Sequence, residues 1–408
     1  MNCRFCKNKL KHIFVDLGYA PPSNAYINKE HLESSEIYYP LKTYVCEKCW
    51  LVQTKDFTSA ENLFDKTYAY FSSTSSSFLK HAKNFFYKIK KELSLNKNSF
   101  VIEIASNDGY LLKNFVKAGI PCLGIEPTKS TAIFSEKKGI KVLRKFFSHK
   151  ISSKLSKEMG KADLIIANNV FAHVPNIKDF TFGLKVLLKL NGTITIEFPH
   201  LKELIKHTQF DTIYHEHFSY LSLYTTTKIL KKFELRVFKV EKIITHGGSL
   251  RLYICHTDDA RINDKSVNKI LNEEKVFGLT KLKKYLSFQK KVDKVKNYLL
   301  KFLINKKHKN KKVIAYGAAA KGNTLLNYAG IKKDLITCVF DAAKSKQHKF
   351  LPGSHIPIYP INKISEEKAD YIFILPWNIS SEIIEKNNHL KKNNLKFFTA
   401  VPRLKFYE

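Results

Sequence analysis

Short apolar runs alternate with helical patterns from Ser99 onward, and this alternation constrains the fold more than any other feature. The runs FVIEIAS, CLGIEP, ADLIIANN and GTITIEF are separated by stretches with helical periodicity. Strands that are separated by helices usually pair in parallel, because each connection crosses over the sheet. The sequence therefore predicts an α/β domain in which helices wind around a parallel sheet.

A second unit of strand, loop, helix and strand follows near the C-terminus. It opens with KKVIAYGAAAKGNTLLNYAGI and ends in Asp341, as the first such unit ends in Glu126. Between the two units, apolar residues from Leu282 to Leu303 recur at steps of three, four and seven, which predicts one long amphipathic helix. Each unit could hold a nucleotide-like ligand at the N-terminal end of its first helix, where backbone N–H groups point outward.

Four of the seven cysteines form a metal-binding pattern. Cys3 and Cys6, followed by Cys46 and Cys49, make two C-x2-C knuckles whose thiolates can close a tetrahedral zinc site. The spacer exceeds that of an ordinary zinc ribbon, so an additional segment must lie between the knuckles. A disulfide pair is the alternative, but the lack of an export signal favours zinc. Four thiolates leave no open position for a substrate, so we expect a structural zinc ion.

The loop after the first strand of the α/β domain has the features of a cofactor site. Glu103 ends the strand, and Glu126, at the end of the next strand, is placed to accept hydrogen bonds from a ribose diol. The loop residues that would contact the cofactor are Ala105, Ser106, Asn107 and Gly109. A dinucleotide fingerprint would need G-x-G-x-x-G, which is absent. The pattern favours S-adenosylmethionine, although an ordinary strand-to-helix turn has a similar sequence.

A later strand brings further polar residues to the same edge of the sheet. ADLIIANNVFAHVPN ends in Asn168 and Asn169 and then offers His173 on the following loop. Ligands bind beyond the carboxyl ends of strands in open α/β sheets, so these residues are candidates for the cofactor and the reacting site. Asn169 could instead cap the next helix.

Charge and hydropathy argue against some classes of protein. The formal net charge is +34, but the lysines are scattered through every segment, which favours a lysine-biased composition and anionic small ligands over a nucleic-acid groove. Membrane spans need roughly 18 apolar residues, and no run approaches that length. The opening residues lack the apolar region of a secretory signal. We expect a globular, cytoplasmic protein that acts on neither a membrane nor nucleic acid; the oligomeric state is not readable from the sequence.

Several motifs together resemble one family. In chain order they are the two cysteine knuckles, YAYFSS, EIASNDG, GIEP, YHEHFSY, HGGSLR, AYGAAAKGNTLLNY and LPGSHIPIY. Nearly the whole chain resembles S-adenosylmethionine-dependent sugar C-methyltransferases, which act on nucleotide-linked 4-keto sugars. The resemblance implies a zinc-binding domain (1–65), a class I methyltransferase core with a Rossmann-like fold (66–260), a linking helix (261–305) and a second Rossmann-like domain (306–408).

The resemblance also implies which residues form the catalytic and substrate sites. The catalytic candidates are His217, Glu216 and Tyr214 of YHEHFSY, with His173 and Tyr68. The candidates for the nucleotide-linked ketosugar are His246, Gly247, Arg251, Lys321 and Asn323. Lys321, Arg251 and Lys344 are possible partners of the diphosphate. The implied reaction methylates the carbon alpha to the ketone of a deoxy sugar, with carbon 3 as the expected position, for a surface polysaccharide or a secondary metabolite.

Carbon methylation explains the concentration of proton-handling residues in YHEHFSY. A carbon beside a ketone becomes a nucleophile once a proton is removed, and the resulting charge spreads onto the oxygen. His217 is the expected base because imidazole titrates near neutral pH. Glu216 would orient His217 or share the proton abstraction, and Tyr214 or Tyr68 would donate to the enolate oxygen. If this segment is a strand, however, Tyr214 and Glu216 face away from His215 and His217.

Three alternatives stay open at this stage. His215 and His217 could bind a metal ion, although no third ligand has a suitable spacing. The positive charge would suit an RNA methyltransferase that carries a zinc ribbon. The two nucleotide-type units would suit a sugar-nucleotide-binding protein without catalytic activity.

Overall fold

The computed structural model describes residues 1–63, 71–393 and 395–407. Contacts divide the chain into two units. The first unit contains Met1–Lys11, Val45–Lys202 and His217–Leu282, and the second contains His12–Tyr44, Glu203–Glu216 and Lys283–Glu408. The chain therefore passes from the second unit to the first within YHEHFSY, between Glu216 and His217. The catalytic candidate Tyr68 lies outside the described residues.

The strands are numbered in chain order. They are β1 (His12–Ala20), β2 (Tyr39–Val45), β3 (Val52–Thr54), β4 (Val101–Ile104), β5 (Cys122–Ile125), β6 (Lys141–Leu143), β7 (Ala162–Asn168), β8 (Leu188–Pro199), β9 (Ser219–Tyr220), β10 (Leu235–Ile243), β11 (Ser249–His256), β12 (Val313–Tyr316), β13 (Val339–Asp341), β14 (Ile358–Pro360), β15 (Tyr371–Ile374), β16 (Lys396–Thr399) and β17 (Lys405–Tyr407).

The α-helices are numbered in the same way. They are α1 (Ala60–Leu63), α2 (Ser76–Glu92), α3 (Leu112–Lys117), α4 (Lys129–Glu136), α5 (His149–Glu158), α6 (Ile177–Leu187), α7 (Leu201–Lys206), α8 (Leu223–Lys231), α9 (Lys265–Phe277), α10 (Leu282–Leu286), α11 (Phe288–His308), α12 (Ala320–Ala329) and α13 (Ser380–Lys386).

The large sheet of the first unit has the order β6-β5-β4-β7-β8-β11-β10. The strands from β6 to β8 are parallel, and β11 is antiparallel to both of its neighbours. The chain continues from β4 to one side of the sheet and later to the other, so the switch point at which such sheets bind ligands lies between β4 and β7. This arrangement confirms the predicted α/β fold with a class I methyltransferase core.

The second unit contains its own sheet, in the order β14-β13-β12-β15-β16-β17. All neighbours in it are parallel except β16 and β17. This confirms the predicted second Rossmann-like domain. The segment between the cysteine knuckles belongs to this unit as well. Phe14 of β1 stacks on Phe288 of α11 with ring centroids 4.5 Å apart, and Ile27 forms a β-bridge with Phe350.

The core of the first unit is built on one face of α2. The helix begins where the Ser75 hydroxyl accepts a hydrogen bond from the Phe78 N–H. Its buried residues Phe85, Phe86 and Ile89 recur at helical spacing and pack with Phe115, Leu164 and other residues of the sheet and its helices. The packing holds α2 against the sheet that carries the candidate cofactor site.

The sequence predicts one long amphipathic helix from Leu282 to Leu303, but the structure divides it into two helices. α10 and α11 are separated at Ser287, whose hydroxyl donates to the Lys284 carbonyl at 3.1 Å. At this break the Ser287 N–H still donates to the Lys283 carbonyl at 3.3 Å. Among the described residues, no helix is both long enough and apolar enough to cross a membrane.

Candidate functional site

The two cysteine knuckles adopt the same turn. The Cys3 carbonyl accepts a hydrogen bond from the Lys7 N–H at 3.0 Å, and the Cys46 carbonyl accepts one from the Trp50 N–H at 2.8 Å. Lys7 and Trp50 both have a φ of 64°. Each knuckle therefore folds back on itself directly after its second cysteine, which turns its two sulfur atoms to one side.

The four knuckle sulfur atoms lie within 4.8 Å of one another. Cys3 Sγ is 3.5 Å from Cys49 Sγ, and Cys6 Sγ is 3.5 Å from Cys46 Sγ. Zinc–sulfur bonds of about 2.3 Å in a tetrahedron require sulfur atoms roughly 3.8 Å apart, so the quartet fits zinc. The Gln53 amide donates to Cys3 Sγ at 3.3 Å, as partners of metal-bound thiolates do. The cofactors include a structural zinc ion held by these four residues.

The alternatives to this zinc site do not agree with the structure. All seven cysteines lie in the described part of the chain, and all are free thiols. Within that same part, the quartet is the only group of three or more potential ligands that could hold a metal ion. His215 and His217 therefore have no third ligand there, and the rival metal site is not supported.

The loop after β4 depends on backbone conformations with positive φ. Ala105, Asn107 and Gly109 have φ values of 56°, 50° and 74°. A Cβ atom at Gly109 would lie 2.4 Å from Ile140 Cδ1, so this position requires glycine. The three residues with positive φ keep the loop compact at the carboxyl edge of the sheet.

Glu126, at the end of β5, fixes the shape of this loop. Its Oε2 atom accepts a hydrogen bond from the Asn107 N–H at 2.9 Å, and its Oε1 atom accepts one from the Thr128 N–H at 2.9 Å. Both oxygens are thus engaged with the backbone, and the side chain is 4% exposed. The contact of Glu126 with a ribose diol remains a prediction.

Buried acids line this edge of the sheet. Burial, together with the charges of Asp108, Glu126 and Glu197, raises the pKa of Glu103 well above its usual value. Glu103 Oε2, Asp108 Oδ1 and Ser106 Oγ are buried without a hydrogen-bond partner in the protein. A cationic ligand with hydrogen-bond donors would satisfy these atoms. S-Adenosylmethionine carries an ammonium and a sulfonium group, so these residues fit it.

The end of β7 adds amide groups to the same edge. Asn168 pairs with Glu197 of β8, and Asn169 has a φ of 55° and donates its N–H to the Glu197 carbonyl at 2.7 Å. The side-chain oxygen and nitrogen of Asn169 are buried and have no hydrogen-bond partner, so this side chain does not cap a helix. His173 ends the short 3-10 helix that follows.

The two histidines that the sequence singled out meet in the first unit. The rings of His173 and His217 have centroids 4.5 Å apart in an edge-to-face arrangement, and His217 is 7% exposed. Their segments are joined by the Phe218 N–H, which donates to the Ala172 carbonyl at 2.8 Å. The structure thus brings an imidazole pair together in the unit that carries the candidate cofactor residues.

The second knuckle leads directly to the strand that supports His217. β3 pairs with β9, and the Thr54 hydroxyl donates to the His217 carbonyl at 3.1 Å. The Thr225 hydroxyl, at the start of α8, donates to the Cys49 carbonyl at 3.1 Å. The second knuckle and the strand after it are therefore hydrogen-bonded to His217 and to the start of α8, which follows the His217 segment.

Tyr214 and Glu216 precede His217 but belong to the second unit. His215 and Glu216 form a turn, and a strand begins only at Ser219, so strand alternation does not apply to YHEHFSY. Tyr214 is half-buried, and Glu216 is 1% exposed. Burial raises the pKa of Glu216, and hydrogen bonds from its own backbone and from Asn24 oppose this rise.

The predicted substrate residues of the first unit have different environments. His246 and Gly247 lie in a 3-10 turn, in which His246 has a φ of 54° and its ring lies 6.0 Å from that of Phe78. Arg251 is 4% exposed, and its Nε atom donates to Glu197 Oε1 at 2.6 Å. The charge of Arg251 is therefore already balanced by a buried carboxylate.

The remaining substrate candidates lie at the start of α12 in the second unit. Lys321 Nζ donates to Asn378 Oδ1 at 2.6 Å and lies 4.9 Å from the centre of the Trp377 ring. The Asn323 amide donates to the Ser23 carbonyl at 2.6 Å. Lys344 is exposed. Side-chain contacts of this unit thus already engage Lys321 and Asn323.

Sequence reasoning missed several buried polar residues around these positions. His81 and Arg251 pair with Glu197, the penultimate residue of the run GTITIEF. Although burial alone would raise the pKa of Glu197, its hydrogen bond with His81 and the charge of Arg251 lower it. Glu197 lies near the end of a buried strand, as Glu103 does, so the same sequence pattern could have identified it as a candidate site residue. Asp211, which accepts from the Trp377 indole at 2.6 Å, had no such signal.

Three family models match the chain in order. A putative zinc-binding domain matches residues 3–64, a methyltransferase domain matches 78–240, and a C-methyltransferase C-terminal domain matches 244–402. C-methyltransferase NovU from Streptomyces niveus is 29% identical over 400 residues, which cover 98% of this chain and 95% of that protein.

These matches, the sheet order and the cysteine quartet define a class of enzyme. The chain is an S-adenosylmethionine-dependent C-methyltransferase with an N-terminal zinc-binding domain. A C-methyltransferase relative over nearly the full length indicates a small-molecule substrate. The reading as a protein without catalytic activity is therefore wrong.

Solved structures resemble only part of the chain. The PH0226 protein from Pyrococcus horikoshii has 13% identity and a TM-score of 0.38, covering 49% of this chain and 99% of that one. Magnesium protoporphyrin IX methyltransferase from Synechocystis with bound SAM has 13% identity and a TM-score of 0.34, covering 44% and 79%. Similarity at this level carries no functional inference.

Proposed function

We propose that the protein methylates the carbon alpha to the ketone, at carbon 3, of a nucleotide-linked 4-keto deoxy sugar through a base-generated enolate. The observation that carries the proposal is the contact between His173 and His217 at 4.5 Å in the unit that holds the cofactor edge. A C-methyltransferase must generate a carbon nucleophile, and an imidazole pair in which His217 is buried and His173 is partly buried is suited to removing the proton.

In this proposal His217 removes the proton, and His173 lies against its ring. A second imidazole in contact can hold the first in one orientation and one tautomer. Glu216 precedes His217 in the chain and either orients it or shares the proton abstraction. Tyr214 donates a hydrogen bond to the enolate oxygen as charge develops there. S-Adenosylmethionine supplies the activated methyl group.

The sugar nucleotide is proposed because the second unit repeats the loop design of the first. Asp341, at the end of β13, accepts hydrogen bonds from the Ala318 N–H and the Ala343 N–H, both at 2.7 Å. Glu126 makes the equivalent pair of bonds in the first unit. A loop fixed in this way before a helix is a common position for nucleotide phosphates. His246, Gly247, Arg251, Lys321 and Asn323 remain the proposed substrate residues.

The substrate is tested with a panel of nucleotide-linked 4-keto sugars and S-adenosylmethionine. Mass spectrometry should show one methyl group replacing hydrogen, and NMR should locate it beside the ketone. Without S-adenosylmethionine, the protein in deuterium oxide should exchange the proton on that carbon. A product methylated on oxygen or nitrogen would refute the proposal.

The base is tested with His217→Asn. We expect kcat to fall by about 100- to 10,000-fold, the usual contribution of a general base, with nearly unchanged affinity for S-adenosylmethionine in calorimetry. His207→Asn is the matched control, because His207 follows α7 directly and its side chain is 42% exposed. Full activity of His217→Asn would refute the assignment of His217 as the base.

A further inference from the structure

The segment between the two cysteine knuckles contains a residue that contacts the catalytic motif. This segment, His12–Tyr44, belongs to the second unit, although the cysteines on both sides of it belong to the first. Within it, Asn24 Nδ2 donates a hydrogen bond to Glu216 Oε1 at 2.9 Å. The long spacer between the knuckles thus contains the amide of Asn24, which contacts the proposed catalytic carboxylate of Glu216.

The Asn24 segment is fixed by contacts with the start of α12. The Asn323 amide donates to the Ser23 carbonyl at 2.6 Å, and the Tyr26 hydroxyl donates to the Ala318 carbonyl at 2.6 Å. These bonds flank Asn24 on both sides in the chain. The backbone on both sides of Asn24 is therefore held by contacts that do not involve Glu216.

The Glu216 segment is attached to the same helix. The Thr324 hydroxyl donates to the Ile213 carbonyl at 2.8 Å, three residues before Glu216. α12 thus holds both partners of the Asn24–Glu216 bond. Fixing one oxygen of a carboxylate also fixes the direction of the other, which is the requirement for a group that handles a proton.

An amide is the suitable donor for this buried position. It stabilises the ionised carboxylate without adding a charge, and burial otherwise raises the pKa of Glu216. The charged and titratable groups nearby are Tyr26, whose pKa burial raises, and around it Lys346 and Asp341. Their charges have opposite signs. Backbone N–H groups of Ser23, Asn24 and Glu216 itself also lower the pKa of Glu216, and the Asn24 amide adds a side-chain donor to them.

We propose that Asn24 is a positioning residue of the methyl transfer reaction, which holds the Glu216 carboxylate in its reactive orientation. The proposal rests on the proposed function for its reaction, but the contact itself can be measured independently. It assigns a catalytic purpose to the segment between the knuckles, which the zinc site alone does not explain.

Two substitutions of similar size separate positioning from packing. Asn24→Leu removes the donor, and we expect kcat to fall by about 10- to 100-fold, since a hydrogen bond to a charged group contributes about 1.5–3 kcal/mol. The affinity for S-adenosylmethionine should not change, because its proposed residues all lie in the first unit. Asn387→Leu is the matched control, a buried asparagine of the second unit whose amide donates to the Ile383 carbonyl at 2.8 Å.

Asn24→Asp supplies a readout that a packing role would not change. Two adjacent carboxylates share a proton at low pH, and the protonated aspartic acid of this variant then donates to Glu216 as the amide did. The ratio of the kcat of this variant to that of the wild type should therefore rise as the pH is lowered from about 8 to about 6. If both variants keep kcat within about twofold of the wild type, or if this ratio does not change with pH, the proposal is overturned.

Infrared spectroscopy tests the contact without any substrate. The carboxyl band of Glu216 is identified by its loss in Glu216→Gln, and its titration should move to higher pH in Asn24→Leu. If that shift occurs while the wild type methylates no ketosugar of the panel, the proposed substrate is wrong and the positioning of Glu216 stands. An unchanged titration overturns the positioning role even if the sugar is methylated.

Discussion

Individual buried residues in this protein carry titration properties that the sequence did not show. Burial lowers the pKa of His215 to about 4 from its usual 6.5, and its ring lies 5.8 Å from that of Tyr39. The motif YHEHFSY predicted proton-handling residues, but neighbouring positions in it have different environments. His217 contacts a second imidazole, whereas His215 is a neutral core residue. Only the folded environment separates the two histidines.

The pKa of His215 predicts a loss of stability in acid. Between about pH 6.5 and pH 4 the unfolded chain holds a proton on this histidine that the folded chain does not, so the free energy of unfolding falls as the pH falls. At about pH 5 this residue alone accounts for a loss of about 2 kcal/mol. His215→Phe should reduce the difference between urea unfolding at about pH 7.5 and about pH 5 by that amount. His207→Phe should leave the difference unchanged; an unchanged difference in His215→Phe would contradict the prediction.

At the scale of the elements, the zinc knuckles and β3 act as a support for the imidazole pair. Arg4, inside the first knuckle, donates from Nη1 to the Pro175 carbonyl at 2.7 Å and from Nη2 to the Thr54 carbonyl at 2.9 Å. Its guanidinium also lies 5.4 Å from the centre of the Phe218 ring. Arg4 therefore joins the segment after His173 to the segment that carries His217.

Arg4 should affect catalysis without taking part in it. Arg4→Met should retain zinc but lower kcat by about 10- to 100-fold, because three hydrogen bonds of a charged group are lost, including the one to Asp56. Lys7→Met, at an exposed position of the same knuckle, is the control. Zinc analysis and kcat at saturating substrate are the measurements. Chelation of the zinc should abolish activity. If the zinc-free protein keeps full activity, the zinc knuckles do not support the imidazole pair.

Elements with a clear period were predictable, and elements defined by side-chain contacts were not. The buried runs around Val101 and Val313 became β4 and β12, because parallel strands buried on both faces are continuously apolar. The turn at His215 and Glu216 gave no signal, since neither glycine nor proline marks it. The break at Ser287 likewise leaves the apolar period from Leu282 to Leu303 unchanged. Local chemistry of this kind is decided by tertiary contacts rather than by periodicity.

At the scale of the whole molecule, the positive charge does not by itself select a substrate. The chain has 70 Lys and Arg against 36 Asp and Glu, yet the candidate cofactor residues lie among buried acids. We therefore expect methyl transfer to a nucleotide-linked ketosugar and none to total RNA, measured with labelled S-adenosylmethionine. If RNA becomes labelled, and if its binding to the protein weakens steeply as salt is added, the alternative of an RNA methyltransferase is favoured.

The sequence predicted the order of the domains better than their borders. The zinc-binding, methyltransferase and C-terminal matches follow the predicted order. The borders at residues 65, 260 and 305 remain predictions. The membership of His12–Tyr44 in the second unit was not predictable, because contacts between residues distant in the chain decide it. Residue type alone singled out the candidate site, which stays a prediction. The contacts of Asn24, Arg4 and Glu197 depend on partners that only the fold brings near.

The carboxylates of Glu126 and Asp341 each bind two backbone N–H groups of the loops beside them. Both loops are thereby preorganised during folding, so little entropy is left to lose when a ligand arrives. Binding energy that would otherwise be spent on ordering these loops remains available for affinity.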